Sequence, residues 1–164
     1  MAIFSCLALL ENETHLLYEA MFSRADNSQV KLLLRKLSLE TKTHRDILEQ
    51  MSRDFGQAFP PAEETCKELM GELYGRALES SRSVKGDVSR GIPIMEAVNS
   101  LVDFENDLSE EYVTEMHSTL NALVEVNPAA KRILEDIAAD EKRHVATLKL
   151  ILEIASKASN ANTE

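Results

Sequence analysis

The chain has 164 residues, of which 44% are hydrophobic and 28% charged, as is typical of a single globular domain with a substantial core. Its net charge of −10 excludes nucleic acid and anionic membrane surfaces as expected partners, because phosphate groups are bound by clustered Lys and Arg. Only five Gly and four Pro interrupt the sequence, and Trp is absent, which favours long helices with aliphatic cores. We expect one domain over residues 1–164.

The N-terminal stretch MAIFSCLALL is apolar, has no basic region before it and is followed at once by Glu11. It is too short to span a membrane and lacks the plan of a signal peptide, so we interpret it as the start of a core helix in a cytoplasmic protein. Cys6 and Cys66 are not part of a C-x-x-C motif. We therefore expect two buried, unpaired cysteines rather than a disulfide.

Apolar residues recur with helical spacing in five segments, at about residues 2–24, 28–53, 62–80, 93–126 and 128–156. The segment at 62–80 is the shortest, and we interpret the polar residues 80–92 after it as a connector. No segment alternates as a strand would. The pattern predicts an all-α bundle of four long helices, with one long crossover that carries an extra short helix.

Polar side chains interrupt the otherwise apolar inner faces of the four long helices. Glu11 lies in the first, His44 in the second, Glu105 in the next long helix, and Glu141 with His144 in the last. Buried carboxylates and imidazoles are costly unless they are paired, hydrogen-bonded or metal-bound. Glu11 precedes His44 by about as many residues as Glu105 precedes His144, so the two halves look like a repeated helix pair.

This arrangement is close to the ligand plan of di-iron and di-manganese carboxylate bundles. In that plan two helices each supply one Glu, and the other two each supply Glu-x-x-His. Residues three apart lie on neighbouring turns, so both side chains can reach one metal. Carboxylates offset the charge of two metal ions, and imidazoles complete their shells. The predicted ligands are Glu11, Glu40, His44, Glu105, Glu141 and His144.

In order and type these residues resemble the ferritin-like superfamily, most closely its small rubrerythrin-like and erythrin members that lack a rubredoxin domain. The resemblance implies a four-helix ferritin-like bundle that binds two metal ions, with iron in first place and manganese as the alternative. It makes Glu11 and Glu105 terminal ligands, Glu141 a bridging ligand, and His44 and His144 the two imidazole ligands.

The sequence departs from this family pattern in the stretch LETKTH, which ends at His44. Thr41 stands where the pattern has Glu, and Glu40 lies one position earlier. We expect Glu40 to lean in from the flank, with His15 or water as alternatives. In addition, neither a second inward carboxylate one turn from Glu105 nor a rubredoxin-like Cys pair is present, so rubrerythrin peroxide chemistry is not implied.

The expected function is that of an oxidoreductase, peroxidase-like or ferroxidase-like, that reacts with peroxide or dioxygen or oxidises ferrous iron. The alternatives are a metal-binding or storage protein without turnover, and a structural bundle that has lost part of its metal site. The expected partners are metal ions and a small oxidant. We also predict a homodimer, because the segment from Pro61 to Ser81 has more apolar surface than a connector needs.

Overall fold

The computed structural model describes residues 2–102 and 127–161. These residues form helices and contain no strand, which confirms the predicted all-α class. The helices are α1 (Ile3–Arg24), α2 (Ser28–Asp54), α3 (Glu63–Arg90), α4, of which residues 94–102 are described, and α5 (Pro128–Ala161). None of the helices in these ranges has a long enough apolar run to cross a membrane.

Two of the helices begin with the same side-chain cap. The Asn27 side-chain oxygen accepts backbone N–H groups at the start of α2, at 2.9 and 3.1 Å. Asn127 does the same at the start of α5, at 3.0 and 3.1 Å. Each cap satisfies N–H groups that have no partner within the helix. The helix starts predicted near residues 28 and 128 therefore have a local chemical cause.

Helix α3 is longer than the sequence pattern predicted. The segment expected to end near residue 80 continues to Arg90, so residues 80–90 are helical and not a connector. Val84 and Val88 continue its apolar stripe at helical spacing, and both are buried in a core cluster shared with α1, α2, α4 and α5. Gly71 has φ 80° and ψ −177° and kinks the helix, and Gly91, at φ 108°, ends it in the left-handed conformation.

The apolar core is divided into two main clusters. One includes Leu17, Leu37 and Leu148, together with residues of α3 and α4. The other includes Leu48 and Ile137 and the beginning of α1. On α1, α2 and α5, the polar residues of the predicted site fall between the stretches that enter the two clusters. The fold therefore holds a polar layer between two apolar ones.

A disulfide between Cys6 and Cys66 joins α1 to α3, with 5.4 Å between the Cα atoms. Both cysteines are fully buried, and the nearby Tyr74 hydroxyl donates a 2.9 Å hydrogen bond to the Cys6 carbonyl. The expectation of two unpaired cysteines is wrong, because the packing of α3 on α1 brings together residues that are 60 positions apart. The same packing covers part of the apolar face of α3 from which a homodimer was predicted, in a cluster that includes Leu69 and Leu78.

Candidate metal centre

The polar layer brings together four of the predicted ligands. Glu11 comes from α1, His44 from α2, and Glu141 and His144 from α5. The two histidines are buried, at 4% and 0% exposure, and their rings stack with centroids 5.7 Å apart. Each helix presents its polar residue on the face that otherwise carries core residues, which is why these side chains meet at one depth.

The Glu141 carboxylate lies between the two imidazoles. Its Oε1 atom is 3.4 Å from His44 Nδ1 and 3.3 Å from His144 Nδ1. Glu11 Oε2 lies 3.7 Å from the same His44 nitrogen. Three residues each offer one ligand atom here, and these three atoms all lie within 4.8 Å of one another: Glu11, His44 and Glu141. These atoms are placed as ligands around a shared ion would be.

Three of the atoms at this centre lack hydrogen bonds within the described part of the chain. His44 Nδ1, His144 Nδ1 and Glu141 Oε1 are buried and have no hydrogen-bond partner in residues 2–102 and 127–161. A buried polar atom without a partner costs roughly 1–3 kcal/mol, so three of them converging on one point need a compensating group. A metal ion fits this donor set, because imidazole nitrogen and carboxylate oxygen both bind iron and manganese.

Burial and mutual charge shift the protonation of the site. Burial, reinforced by the charge of Glu141, raises the pKa of Glu11 to about 7. Burial alone would lower the pKa of His44, but the nearby carboxylates of Glu11 and Glu141, at 3.7 and 3.4 Å from Nδ1, favour the protonated ring and raise this pKa to about 9. For Glu141, burial is outweighed by both histidines, which lower its pKa to about 2. Without a metal the site therefore holds protons that a cation would displace.

A second carboxylate lies at the outer nitrogen of each histidine. Asp140 Oδ2 is 3.0 Å from His44 Nε2, and Asp140 is also paired with Arg143. Glu40 Oε2 is 3.3 Å from His144 Nε2. Asp140 was not among the predicted residues, although the repeat offers a signal for it: Asp140 precedes Glu141 as Glu40 precedes Thr41.

The remaining candidates are placed as follows. Glu40 is bonded to Lys36 at 2.6 Å and approaches His144 from the nitrogen that does not face Glu141. Thr41 is fully buried and donates its hydroxyl to the Leu37 carbonyl at 2.8 Å. His15 Nδ1 lies 3.0 Å from the Ser38 carbonyl oxygen. Glu105 lies outside the described residues.

Comparison with known proteins identifies one family. The family model described as Rubrerythrin matches residues 8–152, a range that includes every predicted ligand. No curated protein and no solved structure matches the chain.

Proposed function

We propose that this chain, which belongs to the rubrerythrin family of ferritin-like proteins, is a binuclear metalloprotein with oxidoreductase activity. The proposed ligands are Glu11, His44, Glu105, Glu141 and His144. The observation that carries the proposal is the position of Glu141 Oε1 between two buried imidazole nitrogens that have no hydrogen-bond partner among the described residues. A carboxylate in this position can serve two metal ions at once.

The residues of the chain have distinct roles in this proposal. Glu141 reaches toward both histidines, whereas Glu11 faces only the His44 side among the described contacts. The two apolar clusters lie on either side of the centre along the helices. His44 and Glu11 hold protons in the metal-free state and release them when a cation binds.

For the metal we propose two iron ions, with manganese as the alternative. Bound iron would supply redox chemistry with peroxide or dioxygen, and the protein would supply the ligand geometry. Peroxide reduction and ferrous iron oxidation are the two proposed reactions, with a small oxidant as the partner. Carboxylate-rich shells support both, because they offset the charge of oxidised metal ions.

The test is a metal count combined with a ligand substitution. Protein from iron- and manganese-supplemented cells should contain two metal ions per chain by elemental analysis. Glu141→Ala should lose most of this metal, because Glu141 lies next to both imidazoles. Glu135→Ala is the matched control, since Glu135 is an exposed residue of α5 paired only with Lys131 in the described contacts. Absorbance changes on addition of peroxide or air then report whether the bound metal is redox-active.

Thr41 supports a second candidate function, in which the site is incomplete. Its buried hydroxyl is already bonded to the Leu37 carbonyl, so it offers no anionic ligand to the centre. One metal ion per chain, or a variable number, without a response to oxidant would favour a metal-binding or storage protein without turnover. Metal-free protein under all conditions would contradict the primary proposal and favour a structural bundle.

The homodimer and the cytoplasmic location also remain proposals. Because α1 covers part of the apolar face of α3, we assign the dimer contact instead to Leu32 and Leu39, two exposed residues on one face of α2. The cytoplasmic location rests on the sequence alone. The Cys6–Cys66 disulfide weighs against it, because cytosolic thiols are mostly kept reduced.

A further inference from the structure

The two histidines are contacted reciprocally by carboxylates from the opposite helix. Asp140 on α5 reaches His44 on α2, and Glu40 on α2 reaches His144 on α5. Each carboxylate is also held by a basic residue of its own helix, Arg143 for Asp140 and Lys36 for Glu40. The carboxylate contacts are thus reciprocal between α2 and α5, although the basic residue follows the carboxylate in α5 and precedes it in α2.

The ring nitrogen that contacts the carboxylate determines whether the other ring nitrogen carries a proton. A neutral imidazole has one N–H donor and one acceptor nitrogen. When Nε2 donates to a carboxylate, Nδ1 is left with its lone pair, and Nδ1 is the atom that faces Glu141 in both histidines. We propose that Asp140 and Glu40 are positioning residues that fix the tautomer and ring orientation of His44 and His144. This inference rests on the proposed metal centre.

The inference gives Glu40 a different role from the one predicted from sequence. Its carboxylate lies at His144 Nε2, whereas a ligand completing the centre would lie on the Nδ1 side, near Glu141. The two positioning residues also differ in how closely they contact their histidines. Asp140 is hydrogen-bonded to His44 at 3.0 Å, whereas Glu40 lies 3.3 Å from His144 Nε2, which has no hydrogen-bond partner within the described part of the chain. We expect the substitution of Asp140 to have the larger effect.

The first experiment measures the affinity of metal-free protein for Co²⁺ by anaerobic titration, read by visible absorbance. Asp140→Ala should weaken binding roughly 10–100-fold, as the loss of outer partners of histidine ligands commonly does. Asp140→Asn, which keeps an acceptor oxygen, should recover part of the affinity and provides a second variant if the first fails to fold. Asp136→Ala is the control, because Asp136 is one turn away on α5 and pairs with Arg132 at the surface.

A second readout detects positioning directly. In the Zn²⁺-loaded protein, nitrogen NMR of His44 should show a protonated, exchange-protected Nε2. Asp140→Ala should lose that protection, while Asp136→Ala should keep it. A simple loss of stability would not single out this proton. Unchanged Co²⁺ affinity and unchanged Nε2 protection in both Asp140 variants would overturn the inference for this residue.

Two substitutions of Glu40 separate positioning from ligation. Glu40→Gln keeps an acceptor oxygen but loses the charge that a ligand needs, so it should bind Co²⁺ nearly as the wild type does, whereas Glu40→Ala should bind more weakly. Asp46→Ala is the control, because Asp46 is an exposed α2 residue paired with Lys42. Equal losses in both Glu40 variants would overturn the positioning role and restore the ligand role. Wild-type protein that binds no Co²⁺ would instead overturn the proposed metal centre itself.

Discussion

Thr41 and Glu141 occupy matching positions, each three residues before a site histidine, yet they differ in chemistry. Glu141 places a carboxylate between the two imidazoles. Thr41 is buried, and its hydroxyl returns to the backbone of its own helix. A Glu at position 41 would have supplied a second central carboxylate. The difference leaves the charge of the two proposed metal ions less completely offset.

Thr41→Glu should therefore make stability strongly metal-dependent. Without metal, a new buried carboxylate next to other acidic groups should lower the free energy of unfolding by roughly 1–3 kcal/mol or more. With Fe²⁺ or Mn²⁺, the same carboxylate gains a cation, so the metal-induced rise in melting temperature should exceed that of the wild type. Thr43→Glu is the control, because Thr43 makes the same backbone hydrogen bond from the exposed side of α2. An equal metal effect in the wild type and both variants would refute this prediction.

The shifted pKa values of Glu11 and His44 predict how the metal-free protein responds to pH. Both pKa values are raised on folding, from 4.5 to about 7 for Glu11 and from 6.5 to about 9 for His44. A raised pKa contributes stability that is complete below the unfolded value and is lost as the pH rises through the folded value. The free energy of unfolding should therefore fall between about pH 5 and pH 9.5.

Chemical denaturation of chelator-treated protein at pH 5, 7 and 9.5 measures this dependence. His44→Gln should make the decline above pH 6.5 shallower, because the variant removes one of the two buried histidines whose pKa values are raised above 6.5. Metal affinity should change in the opposite direction and rise with pH, since binding displaces the same protons. A stability that stayed constant across this range would show that the buried groups do not exchange protons as their contacts indicate.

At the scale of helices, the sequence predicted the elements whose signals are local. Caps at Asn27 and Asn127 and the apolar period along each helix lie within a few residues of the features they determine. The end of α3 was missed although Val84 and Val88 continue the apolar period and Gly91 follows as a helix-ending residue, because the polar and Gly-containing stretch around them is also typical of a connector. The Cys6–Cys66 disulfide, by contrast, has no local signal, since it depends on the packing of α3 against α1.

The candidate site also contains residues that local sequence signals identify and residues that only a tertiary contact identifies. Glu11, His44, Glu141 and His144 interrupt apolar stripes, and this local anomaly in the sequence is enough to identify them as candidates. Asp140 lies on the flank of its helix, where a carboxylate is usually just solvated. Its contact with His44 exists only because α5 packs against α2, so the outer partners of the histidines could not be assigned from helix periodicity alone.

At the scale of the whole molecule, the exposed apolar residues of α2 are the basis for the expected oligomeric state, a homodimer. Leu32 and Leu39 are seven residues apart on one helix face and are 71% and 47% exposed. Fully removing an exposed leucine side chain from water contributes roughly 1.5–3 kcal/mol, so each of these partly buried residues can contribute part of that value to a two-fold interface, which uses each leucine twice. On this proposal the wild-type protein should sediment at micromolar concentration as a species of twice 18.3 kDa.

Leu39→Lys should shift this equilibrium to the single chain, because it places a charge in the apolar contact of both copies. Helix α2 should remain folded, since the Leu39 side chain is largely exposed in the single chain. Leu150→Lys is the matched control, as Leu150 is 44% exposed on α5. Sedimentation of the wild type only at 18.3 kDa would exclude the dimer. A dimer weakened by Leu150→Lys but not by Leu39→Lys would place the interface on α5 instead.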